Sequence, residues 1–111
     1  MKVTLIVLRS HNIELAKEFY EDILGLKFRE EKHGSGPRHF STEIDGLVLE
    51  IYPKATQGTE GLRIGLNVDN KNTIKEKLRA CNIGFKENED SIIFCDIDKH
   101  KIEVRETQPP S

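Results

Sequence analysis

Two glutamates stand alone among apolar neighbours, in Leu49-Glu50-Ile51 and Ile102-Glu103-Val104. On a strand, successive side chains point to opposite faces, so each carboxylate lies on the face that its neighbours avoid. A carboxylate so placed can serve as a general base or accept an amine from a ligand. Arg63, in Leu62-Arg63-Ile64, has the same setting. Its guanidinium can anchor a carboxylate or phosphate, or it can pair with Glu50 and Glu103 and do no chemistry. Tyr52, Asn67, Lys101 and Arg105 share these faces by alternation and are candidate ligand contacts. His39 joins them, with Ser41, if Phe40 and Ile44 face the other way. A one-sided sheet also shows water a polar face without any function, so both readings stand at this point.

The elements that must position these residues come in two similar sets. Met1 to Arg9 reads as a buried strand. Asn12 caps a helix whose apolar stripe is Leu15, Ala16, Phe19, Tyr20, Ile23 and Leu24, and Gly25 ends it. Strands follow at Leu26 to Glu30, His39 to Ile44 and Leu47 to Tyr52, with a glycine-rich loop over 32–37 and a two-residue Asp45-Gly46 hairpin. After a polar connector over 54–61 the pattern restarts. Leu62 to Val68 is a strand. Asn70 or Asn72 caps a helix with Ile74, Leu78 and Cys81 on its inner face. Strands beginning at Phe85 and spanning Ser91 to Cys95 and Lys101 to Glu106 complete the set, and 107–111 is a tail.

The fold class is therefore α+β, with two tandem βαβββ modules over about 1–53 and 62–106. They are expected to form a curved mixed sheet with a concave cleft and the helices on its convex side. The chain of 111 residues has the size of one domain, 1–111. Charged residues at 32% against 36% hydrophobic leave a modest core, which favours a partner subunit; we expect a homodimer. A net charge of −2 excludes an electrostatic footprint for nucleic acid. The run Val3 to Leu8 is too short for a signal segment, and no membrane span is expected. Cys81 and Cys95 read as buried free thiols in a reducing cytoplasm, with a single disulfide as the alternative that spacing does not decide. His11, His33 and His100 read as exposed loop or turn residues, and His39 as a half-exposed strand residue.

Four stretches, in order, resemble the vicinal oxygen chelate superfamily, which includes glyoxalase I, extradiol dioxygenases, fosfomycin-resistance enzymes and bleomycin-resistance proteins. Asn12 to Tyr20 with Leu24-Gly25-Leu26 is similar to the first helix and the turn after it. Leu47 to Ile51 resembles the fourth strand, Gly65 to Asn70 the start of the second module, and Asp96 to Val104 the ending of the family pattern. The loop from Glu31 to His39 resembles one from a branch that names no substrate. The resemblance covers nearly the whole chain and implies a single glyoxalase/bleomycin-resistance-like domain.

In metal-dependent members the first and last strands of each module supply the ligands, and those positions here are Leu5, Glu50, Arg63 and Glu103. The two glutamates match and the other two do not: leucine cannot coordinate, and arginine stays cationic. The resemblance therefore implies a small-molecule-binding protein without the usual metal. Its ligand would lie in the cleft against Arg63, Glu50 and Glu103, and no cofactor is expected. The alternative is a lyase, isomerase or dioxygenase-like enzyme. It would use Glu50 or Glu103 as base, or a divalent metal on His39, Glu50 and Glu103. A module that binds only a protein partner is a third reading. The expected partner is an unidentified small molecule, with no nucleic acid and no membrane. Arg63→Ala is expected to destabilise the fold, because two carboxylates would lose their counter-charge.

Overall fold

The computed structural model describes residues 3–54 and 62–106. The connector over 55–61, the tail and the first two residues lie outside the described residues. The described residues fall into two compact units, 3–54 and 62–106.

The first unit holds β1 (Leu5–Ser10), α1 (Ile13–Leu24), β2 (Arg29–Glu31), β3 (His39–Ile44) and β4 (Leu47–Pro53). Its sheet order is β1-β4-β3-β2, with β1 parallel to β4 and the other pairs antiparallel. The Asn12 side chain accepts from the Leu15 N–H and so satisfies a helix-start donor. Gly25 ends α1 at φ 72°, where a side chain would be strained. Asp45 and Gly46, at φ 48° and 86°, make the tight turn whose twist matches a β3–β4 hairpin. Ala16, Phe19, Tyr20 and Ile23 of α1 are buried with Leu8, Phe40, Leu49 and Ile51 of the sheet. Each large aliphatic side chain so buried contributes roughly 1.5–3 kcal/mol.

The second unit repeats this order with β5 (Arg63–Val68), α2 (Lys71–Ala80), β6 (Lys86–Glu87), β7 (Ser91–Cys95) and β8 (Lys101–Glu106). Its sheet runs β5-β8-β7-β6, with β5 parallel to β8. Asn70, not Asn72, is the cap, and its side chain accepts from the Asn72 and Thr73 N–H groups. The Glu106 carboxylate accepts from the Lys71 N–H, placing a negative charge at the positive end of α2. Asn82 takes the left-handed conformation past the end of α2, and the Ile83 N–H returns to the Leu78 carbonyl. Ile64, Ile74, Leu78, Ile92, Phe94, Ile102 and Val104 form this unit's core. The α+β class and the two βαβββ modules are thus as expected, each module built on its own four-stranded mixed sheet.

Several expectations are corrected. The second strand is Arg29–Glu31 and not Leu26 to Glu30. The Phe28 N–H is taken by the Glu21 carboxylate and its ring packs on Tyr20, so this stretch is tied to the helix. Strand β6 is only Lys86–Glu87, without Phe85, whose ring lies under the Arg79 guanidinium. Leu15 is exposed at the outer edge of the α1 stripe, and Leu5 is exposed on the edge strand β1. Cys81 and Cys95 are exposed rather than buried: one caps the end of α2, and the other is on the outward phase of β7. His100 is buried rather than exposed, because Asp96 draws it into the turn before β8.

That turn is held from one side chain. Asp96 Oδ1 accepts from the Asp98 and His100 N–H groups, and Oδ2 lies 2.6 Å from His100 Nδ1. Lys99 reaches φ 67° at its tip. The aspartate-rich segment therefore sets where β8, and with it Glu103, begins.

Candidate functional site

In each unit the strand phase that avoids the helix carries polar residues. In the first unit Lys17 of α1 lies over the Phe40 ring, which fixes the helix side of β3. His39 and Ser41 therefore point the other way, as do Glu50 and Tyr52 of β4. In the second unit Arg63, Gly65 and Asn67 of β5 stand opposite Lys101, Glu103 and Arg105 of β8.

His39 is not the half-exposed residue expected. It is 1% exposed, with its ring stacked on Tyr52 at 4.1 Å and 10° between planes. The His33 ring is 5.2 Å away, and the Arg9 guanidinium lies 5.2 Å from Tyr52. His39 Nδ1 donates to the Pro37 carbonyl at 3.2 Å. Its Nε2 lies 3.4 Å from both Glu31 Oε1 and Glu50 Oε2. Glu31 Oε2 in turn lies 3.3 Å from Arg29 Nε. Beyond these, Arg38 pairs with Glu14 and Glu30 and so ties the 32–37 loop to α1 and β2. Its guanidinium is pushed further above the ordinary arginine value by those two carboxylates. An open groove of about 550 Å³ runs along this face, lined by residues that include Lys27, Arg29, Glu31, Ser41, Val48 and Glu50.

The second unit has a different electrostatic character. Arg63 Nη2 donates to Glu103 Oε1 at 3.1 Å, and Arg105 Nη2 approaches the same oxygen at 3.5 Å. Both guanidiniums are about half exposed, at 50% and 51%, while Glu103 is at 21%. Lys101 is also exposed on this face. Gly65, opposite Glu103, leaves open space where a side chain would stand. A groove of about 490 Å³ lies nearby, lined by Asn67, Asp90, Arg105 and Glu106.

The candidate residues thus divide between the units. Glu50, Tyr52 and His39 come together in the first, and Arg63, Glu103 and Arg105 in the second, with Lys101 and Asn67 on the same phase. Sequence reasoning missed Glu31 and His33. The alternation of Arg29 and Glu31 was the available signal, obscured by setting the second strand too early.

Among solved structures, an oxidase, ChaP-H2, is 18% identical with a TM-score of 0.81, covering 100% of this chain and 97% of that one. A mutant of the fosfomycin resistance protein FosX from Listeria monocytogenes, complexed with Mn(II) and 1S,2S-dihydroxypropylphosphonic acid, is 18% identical with a TM-score of 0.76. That match covers 94% of this chain and 90% of the other. TnmS3, an antibiotic binding protein from Streptomyces sp. CB03234, is 19% identical with a TM-score of 0.74, covering 97% of each chain. No curated protein sequence matches the chain. The family model for the Glyoxalase/Bleomycin resistance protein/Dioxygenase superfamily matches residues 2–103. With that match across most of its length, and two βαβββ modules, the chain belongs to the Glyoxalase/Bleomycin resistance protein/Dioxygenase superfamily.

Proposed function

We propose that this protein binds a small organic anion, a carboxylate, phosphate or phosphonate, on the polar face of its second unit. The observation that carries the reading is the convergence of Arg63 and Arg105 on one oxygen of Glu103. Two guanidiniums share one carboxylate, and Lys101 stands on the same strand phase. Half-exposed guanidiniums keep donors free to meet a ligand, and a planar fork suits an oxyanion. Relatives point the same way: FosX is seen with a phosphonic acid, and TnmS3 is an antibiotic binding protein.

The metal positions implied by the superfamily do not fit here. Leu5 is an exposed leucine, and the Glu103 carboxylate is engaged by Arg63 and Arg105. A divalent ion beside two guanidiniums would be repelled. We therefore assign Glu103 to pairing with the two guanidiniums, which are the ligand anchors of a binding protein. Glu50, in the first unit, is held as the base only of the alternative, enzymatic reading.

The test is calorimetric titration with a panel of small phosphonates, phosphates and carboxylates. Binding that weakens at least tenfold in Arg63→Ala and Arg105→Ala, and falls with added salt, supports the reading. Binding that ignores both substitutions contradicts it.

A homodimer belongs to the same proposal. The exposed apolar side chains Val3 and Leu5, next to and on the edge strand β1, support it. Light scattering at micromolar concentration should give twice the chain mass; a monomer alone would refute it. We also place the protein in the cytoplasm. Two exposed, unbridged thiols suit a reducing compartment. No helix among the described residues is long and apolar enough to cross a membrane.

A further inference from the structure

We propose that Glu31, His33 and His39 form a site for one divalent first-row transition cation, contained in the first unit. Its three ligands lie on β2, β3 and the loop between them and are none of the positions at which the superfamily resemblance puts a metal, although Glu50, one of those positions, stands beside His39. It is independent of the anion reading above.

The decisive atom is His39 Nε2. A carbonyl can only accept, so the contact with Pro37 makes Nδ1 the donor of the ring. That arrangement turns Nε2 inward, and a backbone carbonyl on the far nitrogen is what orients a metal-ligating histidine. Nε2 is buried and has no hydrogen-bond partner among the described residues. Its two nearest oxygens, Glu31 Oε1 and Glu50 Oε2, are each 3.4 Å away. This is beyond the usual N–H···O range of about 2.7–3.2 Å. It matches the roughly 3.4 Å edge between ligands of a tetrahedral ion bonded at about 2.1 Å.

Charge and donor chemistry agree. Two carboxylates face one neutral-capable imidazole, so a cation among them would relieve their repulsion and satisfy the buried nitrogen. Glu31, His33 and His39 each offer one ligand atom, all within 4.8 Å of one another. Tyr52 covers one side of the His39 ring and fixes its plane. His33 is exposed and supplies the outer ligand, which leaves the ion a path to solvent. Two imidazoles and a carboxylate, with Glu50 beside them, suit Zn(II), Ni(II) or Co(II) and not the hard ions Mg(II) or Ca(II).

The experiment is calorimetry on untagged, chelator-stripped protein with Zn(II), Ni(II) and Mg(II). One Zn(II) or Ni(II) per chain is expected, with no measurable Mg(II) binding. Glu31→Gln and His33→Ala, both at solvent-accessible positions, should each weaken binding more than tenfold. Glu103→Gln should leave it unchanged, and so should a Cys81→Ser, Cys95→Ser double variant. His39→Gln should abolish it; because His39 is buried, its circular dichroism is recorded alongside, and the two accessible variants decide if it fails to fold. The proposal is overturned if no ion binds, if Mg(II) competes equally, or if Glu31→Gln and His33→Ala leave the affinity unchanged. Loss of binding in Glu103→Gln or in the cysteine variant also overturns it.

Discussion

Tyr52 lies flat on His39, with ring centroids 4.1 Å apart and planes 10° from parallel. Strand β4 carries Tyr52 between Arg9 of β1 and His39 of β3, so the ring is a wall shared by three strands. Tyr52→Ala should lower stability by about 1–2 kcal/mol, from the stacked pair and the apolar area it covers. Tyr52→Phe should be nearly silent, since the stacking needs only the ring. Urea denaturation of the two variants checks this; equal losses would show that the hydroxyl matters instead.

Arg63 illustrates how exposure changes an electrostatic expectation. From the sequence, its removal should leave carboxylates without a counter-charge. In the structure Arg63 is half exposed, and Glu103 keeps Arg105. Arg63→Ala should therefore change stability by no more than about 0.5 kcal/mol. Thermal melting measures it directly, and a large loss would mean that Arg63 is a structural counter-ion and not a ligand anchor.

Asp96 should behave in the opposite way. Its carboxylate and His100 are both buried, 2.6 Å apart, and it also holds two backbone donors. Asp96→Ala leaves those groups without their acceptor and should cost about 3–5 kcal/mol. Out of a total of roughly 5–15 kcal/mol for a domain, that is a large share. A shift in the denaturation midpoint comparable to that of Arg63→Ala would contradict the role given to this turn.

One exposed pair gives a pH signature. Lys75 Nζ lies 2.7 Å from Glu87 Oε2, and this hydrogen bond holds the Glu87 carboxyl below the ordinary glutamate value. A carboxyl whose folded-state value is depressed adds stability that is full above its unfolded value and is lost as pH falls through the folded one. Carboxyl NMR titration should place the Glu87 midpoint below that of an ordinary glutamate, and Lys75→Met should restore it. An unchanged midpoint in the variant would assign the shift to another group.

Much of this was legible where sequence carries strict local rules. Asn12, Asn70 and Gly25 mark helix ends because few residues satisfy those backbone positions, and Asp45-Gly46 marks a hairpin for the same reason. Alternation around Glu103 revealed its face and its company with Arg63 and Arg105. What stayed hidden depended on tertiary contacts. The reach of Glu21 to the Phe28 N–H, seven residues on, delays β2 and moves Glu31 into line with His39. The burial of His39 and His100 depends on a stacked ring in one case and on a turn closed by Asp96 in the other. Neither is visible in residue spacing.

The most direct test of the central claim is the affinity of Glu103→Gln for the best-bound anion of the titration panel. If Arg63 and Arg105 are the anchors, removing the carboxylate between them should tighten binding several-fold, since one unit charge a few ångströms away is worth about 1 kcal/mol in water. Weaker binding, or none, in that variant would mean that Glu103 and not the guanidiniums holds the ligand, and the anion reading would fall.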